Sequence, residues 1–186
     1  LLYIAYGQST SMHCHPNKTT GLMIIDGDAE ISFLNDKFIL KPEQKMMIRK
    51  GLFHSTKAIN LRGAWVFEIE TPVDKHDLVR FKDSYGREGK PYEDNTFEIP
   101  KKDDCIWFEE PRLNEANTYD LANCNICIKS VTDTSFFNEM DDKVNIIFLQ
   151  GGLMTDYNTN VAGPGDIVSS SVIKKLIKVF NNINIS

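Results

Sequence analysis

Short apolar runs separated by tight turns recur through the first hundred residues with no helical period between them. That cadence restricts the chain to an antiparallel, all-β architecture, a sandwich or a barrel. A mostly apolar run over residues 21–25 stops at Asp26-Gly27, a strong two-residue hairpin signal. Residues 29–34 then alternate Ala29, Ile31 and Phe33 against Glu30, Ser32 and Leu34. Further strands are expected at Phe38-Ile39-Leu40, at Met46-Met47-Ile48, over residues 64–70, and in the opening Leu1-Leu2-Tyr3-Ile4-Ala5-Tyr6. Over residues 64–70, Trp65, Phe67 and Ile69 fall on one face and Ala64, Val66, Glu68 and Glu70 on the other. If the aromatic face fills the core, Glu68 lies outside; if not, Glu68 points in.

Past Thr71 the chain turns polar and turn-rich as far as Pro100, and this stretch is expected to be a long loop or linker. Short strands resume over residues 105–108, 123–131 and 144–150 and around Asp166-Ile167-Val168, with Gly151-Gly152 and Gly163-Pro164-Gly165 as turns. Val172, Ile173, Leu176, Ile177 and Phe180 then recur at helical spacing behind Ser169-Ser170-Ser171, so one terminal helix is expected. The second half contains no histidine, and it reads as a smaller, metal-free β module.

Composition narrows the class of function. With 186 residues and 41% hydrophobic content, the chain can bury a core without covalent staples. Cys14, Cys105, Cys124 and Cys127 are scattered like reduced thiols rather than a disulfide framework. Cys124 and Cys127 are three apart within an expected strand, hence on opposite faces, and are assigned to core packing. The apolar runs stop well short of the roughly 20 residues of a membrane span. A net charge of −5 argues against tracking a phosphate backbone. Residue 1 is Leu, so the numbering is expected to start after a removed initiator, tag or leader, and nothing resembles a signal peptide. The expectation is a cytoplasmic protein with neither nucleic acid nor membrane as partner.

The pattern with chemical content is Gly7-x5-His13-x-His15-x4-Thr20-x6-Gly27, followed by Gly51-x2-His54. Residues two apart on a strand share a face, so His13 and His15 can project together, with His54 reaching them from a partner strand. Three neutral imidazoles facing one open position suit Zn or Fe, with Mn or Ni possible. Three of the four histidines in the chain fall on this pattern, and His76 is expected to be solvated.

These residues resemble the two short motifs of the cupin superfamily. Thr20 stands where the first motif has a metal-binding Glu. In the second motif Gly51 and His54 fit, while Glu43, Arg49 and Ala58 replace a usual Gly, Pro and Asn. A longer match runs from residues 7–12 through the histidines and residues 67–70 to Asp77-Leu78-Val79-Arg80-Phe81-Lys82-Asp83-Ser84-Tyr85-Gly86-Arg87. Over roughly the first half of the chain it resembles the cupin domain of type II phosphomannose isomerases.

That resemblance implies a cupin jelly-roll barrel over residues 1–98, with residues 99–186 as a degenerate cupin-like module ending in a helix. It also implies a divalent metal and isomerase- or epimerase-like chemistry on a sugar phosphate or nucleotide-linked sugar of surface-polysaccharide metabolism. Against that pattern, His13 stands for a Gln ligand, Thr20 for the Glu ligand and Lys18 for a substrate-associated Arg.

Loss of the Glu leaves an expected site of three neutral ligands, more strongly polarising and less suited to hard cations. Glu68 is the candidate general base, and Lys18, Arg87 and Thr20 are candidates for contact with the substrate. A small-molecule carbohydrate partner and a homodimer complete the expectation. Two other readings fit the same residues: a catalytically silent sugar-binding or regulatory cupin, and a non-haem iron dioxygenase.

Overall fold

The computed structural model describes residues 1–74, 76–84, 86, 108–113, 115–121, 123–180 and 182–186. The first half forms β1 (Leu2–Ile4), β2 (Met12–Cys14), β3 (Thr19–Asp26), β4 (Ala29–Phe33), β5 (Lys37–Leu40), β6 (Lys45–Ile48), β7 (His54–Ala58) and β8 (Ala64–Thr71). They pair as a nested set about the β4–β5 turn: β4 with β5, β3 with β6, β2 with β7 and β1 with β8, all antiparallel. Folding that long hairpin over itself adds the pairs β3–β8 and β4–β7. Two sheets result, ordered β1-β8-β3-β6 and β5-β4-β7-β2-β9, where β9 is Val79–Lys82. This nesting is the jelly roll, which covers an apolar face by rolling one ribbon into two facing layers.

The hairpin signals hold because the turn chemistry is local. Gly27 has φ of +79°, and its amide donates to Oδ1 of Asp26 at 2.9 Å. A side chain there would also meet the Gly63 carbonyl oxygen at 2.2 Å. Glu43, at the position where a Gly was the usual residue, keeps a left-handed φ of +69°.

The inner face changes character along its length. On β3 it runs Ile24, Leu22, Thr20; on β8 it runs Val66, Glu68, Glu70, in register as Ile24↔Val66, Leu22↔Glu68 and Thr20↔Glu70. On the facing sheet, Ala29↔Ala58 and Ile31↔Thr56 lead to Phe33↔His54. One end is therefore a dry core containing Leu22, Ile24, Ile31, Ala58 and Val66, all fully buried. Complete burial of each large aliphatic side chain there contributes about 1.5–3 kcal/mol. The other end is lined by imidazoles and carboxyl groups. Ala64 and Val66 face the core, so Trp65, Phe67 and Ile69 lie on the outer face and Glu68 points inward.

Two expectations are corrected. The stretch after Thr71 is not all loop, because β9 pairs with β2 through His13↔Arg80 and Cys14↔Val79. Its strand pattern was hidden by charge, since an edge strand exposed on one side can carry Arg80 and Lys82. Cys124 and Cys127 do not pack a core: they lie on the two-stranded ribbon of β10 (Ala116–Leu121) and β11 (Cys124–Lys129), where Cys127 is exposed. Among the described residues this ribbon has no third strand, which leaves both its faces partly wet.

In the rest of the second half, β12 (Asn145–Ile147) pairs with β15 (Ile167–Ser169). Between them in sequence, β13 (Leu153–Thr155) lies between β14 (Asn160–Ala162) and β16 (Ile183–Ile185). Helix α1 (Ser170–Val179) forms where the apolar spacing placed it and buries Ile173 in a second core with Phe137, Leu153, Ala162 and Ile183. The chain does not end in that helix, since β16 follows it. Among the described residues, no helix is long and apolar enough to cross a membrane. The expected boundary at residue 98 lies outside the described residues.

The second half rests on the outer face of β3. A Cβ at Gly21 would stand 2.6 Å from the Gly165 carbonyl oxygen and 3.1 Å from Cγ1 of Ile167. The Lys45 ammonium donates to the side-chain oxygen of Asn145 across the same junction. Gly21→Ala is expected to destabilise the protein by about 1–3 kcal/mol, since backbone must move to admit the methyl group. Urea unfolding measures this, and an unchanged midpoint would show that the junction is not tightly packed.

Candidate metal centre

His13 and His54 are direct cross-strand partners on β2 and β7, and His15 follows two residues later, just beyond β2. All three are buried. Their ring centroids lie 4.6 Å (His13–His54), 5.0 Å (His13–His15) and 5.8 Å (His15–His54) apart. One potential ligand atom from each falls within 4.8 Å of the others. With metal–nitrogen bonds of about 2.0–2.1 Å, small ring rotations would bring all three onto one ion.

The backbone decides which nitrogens face inward. Nδ1 of His13 donates to the Ser11 carbonyl at 2.7 Å, Nδ1 of His15 to the Asp77 carbonyl at 2.6 Å, and Nδ1 of His54 to the Leu52 carbonyl at 3.0 Å. A carbonyl can only accept, which assigns the proton of each neutral ring to Nδ1 and leaves a lone pair on Nε2. The buried Nε2 atoms of His15 and His54 have no hydrogen-bond partner. A buried acceptor left unpaired costs roughly 1–3 kcal/mol, so the arrangement fits residues waiting for a cation.

The electrostatics agree. Burial and the neighbouring His54 lower His13 to about 4, and burial also lowers His54 against the pull of the Leu52 carbonyl. Both rings are therefore neutral at pH 7 and able to ligate. Burial alone would lower His15 as well, but the Glu70 carboxylate and the Asp77 carbonyl outweigh it and raise this ring.

Glu70 is the residue that sequence reasoning passed over. Its Oε1 lies 3.0 Å from Nε2 of His15, and its Oε2 accepts from the Lys18 ammonium at 2.5 Å. Burial would raise this carboxyl, yet His15 and Lys18 hold it down to about 2. The signal was its shared strand face with Glu68; the missing fact was the register that sets Glu70 opposite Thr20. The three expected neutral ligands therefore have the Glu70 carboxylate beside them.

The other candidates divide. Lys18 is only 2% exposed and its charge is engaged by Glu70, so it borders the site as the carboxylate's partner. Thr20 is buried on the inner face. Glu68 is half-buried on that face, where burial and the nearby Glu70 raise its carboxyl. Arg87 lies outside the described residues. His76 is exposed, as expected.

Asp77 also went unnoticed as a site residue. Besides holding His15 through its carbonyl, its carboxylate accepts from the backbone amides of Asn17 and Lys18 and from Nδ2 of Asn17. One residue thereby ties the segment before β9 to the strand entry that carries two site residues.

Nested strand pairing and three converging histidines on the inner face are now both in place. The fold is a cupin-type jelly roll. No family model matches the sequence, and no curated protein matches it. Solved structures that resemble it include BH2720 from Bacillus halodurans, at 16% identity and a TM-score of 0.38 over 39% of this chain and 60% of that one. Another is the capsular polysaccharide assembling protein CapF from Staphylococcus aureus, at 15% identity and a TM-score of 0.40 over 44% of this chain and 27% of that one. A third is a conserved protein with a double-stranded beta-helix domain from Klebsiella pneumoniae, at 20% identity and a TM-score of 0.34 over 37% of this chain and 59% of that one. The chain thus spans less than two thirds of each.

Asp77→Ala is expected to lower the melting temperature at pH 7 and to weaken metal binding about tenfold, because without the carboxylate bonds to Asn17 and Lys18 the segment carrying the Asp77 carbonyl is no longer pinned against His15. Burial would raise the Asp77 carboxyl, but the Asn17 and Lys18 donors lower it overall. Its stabilisation is therefore complete above the ordinary carboxylate range and disappears as pH falls through the lowered folded value. Melting curves of both proteins should converge as the solution is acidified; a constant gap would refute the assignment.

Proposed function

We propose that this chain is a metal-dependent cupin acting on a sugar phosphate or nucleotide-linked sugar, with isomerase- or epimerase-like chemistry of the kind used in surface-polysaccharide metabolism. The observation that carries it is the set of three buried imidazoles, each fixed through Nδ1 on a backbone carbonyl so that the neutral ring keeps its lone pair on Nε2. Zn or Fe suits this donor set best, with Mn or Ni as alternatives. A bound divalent ion would supply a Lewis acid for a sugar carbonyl or hydroxyl oxygen.

The chain's own residues supply the rest. Glu68 faces inward from β8, and its raised carboxyl is closer to the neutral range where a general base works efficiently. Thr20 offers a hydroxyl on the adjacent strand. The sugar assignment draws on the sequence pattern from Asp77 to Arg87, which resembles the type II phosphomannose isomerase cupin domain. A cytoplasmic setting, a homodimer and a separate module over residues 99–186 belong to the same proposal.

Elemental analysis of the purified protein is expected to find about one transition-metal ion per chain, lost in His54→Ala. A panel of hexose phosphates and nucleotide sugars should reveal turnover that Glu68→Gln reduces by about 10²–10⁴-fold with metal retained. Absence of metal from the wild type after loading would sink the proposal. Metal with saturable sugar binding but no turnover would favour the silent sugar-binding cupin. Oxygen uptake by iron-loaded protein would favour the dioxygenase.

A further inference from the structure

The position of the Glu70 carboxylate calls for a positive centre that the surrounding protein groups only half provide. Its Oε2 is neutralised by Lys18, itself buried. Its Oε1 instead lies 3.0 Å from Nε2 of His15. That nitrogen makes no hydrogen bond, while the ring's other nitrogen donates to the Asp77 carbonyl. In the neutral ring a carboxylate oxygen and a nitrogen lone pair therefore face each other in a buried setting, where like partial charges repel strongly.

Either a second proton on the His15 ring or a cation against both atoms would relieve this. The cation accounts for more. Nε2 of His54 is orphaned in the same place, where a proton on His15 would do nothing for it. The separation also fits, since two donors each about 2.1 Å from one ion and at right angles stand about 3.0 Å apart.

The strand ladder explains how residue 70 comes to be there. Thr20 and Glu70 are opposed on β3 and β8, so their side chains leave adjacent strands on one face. Directly opposed Cβ atoms stand about 4.5–5.5 Å apart, which a glutamate side chain spans. A carboxylate can thus reach one point inside the roll from either strand.

Resting on the metal reading above, we infer that Glu70 is the anionic fourth ligand of the ion held by His13, His15 and His54, with Lys18 as the residue that aims it. Oε1 is the ligating atom and Oε2 stays on the ammonium. The site then has three neutral nitrogens and one anionic oxygen, a set that admits Mn and Fe as readily as Zn. Lys18 is a positioning residue and is unavailable as the reader of a substrate phosphate.

The test uses the full chain, stripped of metal and reloaded. Co(II) titration followed by visible absorption is expected to show Glu70→Gln binding about 100-fold more weakly than wild type, with shifted d–d bands. Far-UV circular dichroism checks that the variant is folded. Independently of any variant, Zn-loaded wild-type crystals with anomalous scattering should place Glu70 Oε1 about 2.0–2.2 Å from the ion. Unchanged Co(II) affinity and spectrum in a folded Glu70→Gln, or an ion on the three imidazoles with Oε1 beyond about 3 Å, would overturn this inference and leave the metal reading standing. No ion on the wild type would overturn both.

Discussion

The register of β3 against β8 is the constraint on which the rest depends. Because Ile24 meets Val66, the inner face begins as hydrocarbon; because Leu22 meets Glu68 and Thr20 meets Glu70, it ends as a site. A slip of one residue would send Val66, Glu68 and Glu70 outward and bring Trp65, Phe67 and Ile69 in, exchanging every side chain between faces. Core and site are therefore specified by the same hydrogen bonds. The buried aliphatic residues at one end make that slip unfavourable, and in doing so they hold the carboxylates in place at the other.

The site combines groups whose protonation preferences oppose one another. His13 and His54 are driven neutral by burial, while Glu70 is held ionised by Lys18 and His15. Neutral imidazole, at His13 and His54, and ionised carboxylate, at Glu70, are the forms that bind cations, while Glu70 and the Asp77 carbonyl favour the protonated ring at His15. Backbone carbonyls at Ser11, Leu52 and Asp77 complete the arrangement by occupying the nitrogen that does not ligate. Orientation thus comes from main chain just outside the strands, at Ser11, Leu52 and Asp77.

Much of this was legible in the sequence. Alternation at residues 29–34, the Asp26-Gly27 turn and the spacing of His13, His15 and His54 announced strands, hairpin and inward-facing imidazoles, because all three signals are local. What escaped reading was nonlocal. Glu70 looked like one of two acidic residues on a strand face, and only its pairing partner gives it meaning. Asp77 acts through a carbonyl, which no side-chain motif encodes. β9 was masked by charge that an edge strand tolerates, and Cys127, assigned to a core from its strand pattern, is exposed because its ribbon has no third strand among the described residues. Period and turn chemistry are written residue by residue, whereas register and sheet neighbours belong to pairs far apart in the chain.

The anchoring of His15 has a bearing on the order of assembly. The carbonyl that orients this ring belongs to Asp77, on the segment leading into β9, which is the last strand added to its sheet. A chain shortened before that point could still roll up its eight strands and bury its aliphatic core, yet one imidazole would swing freely. Under the proposed metal reading, full-strength ion capture would depend on the docking of this edge strand, and loading of the centre would report whether that edge has closed.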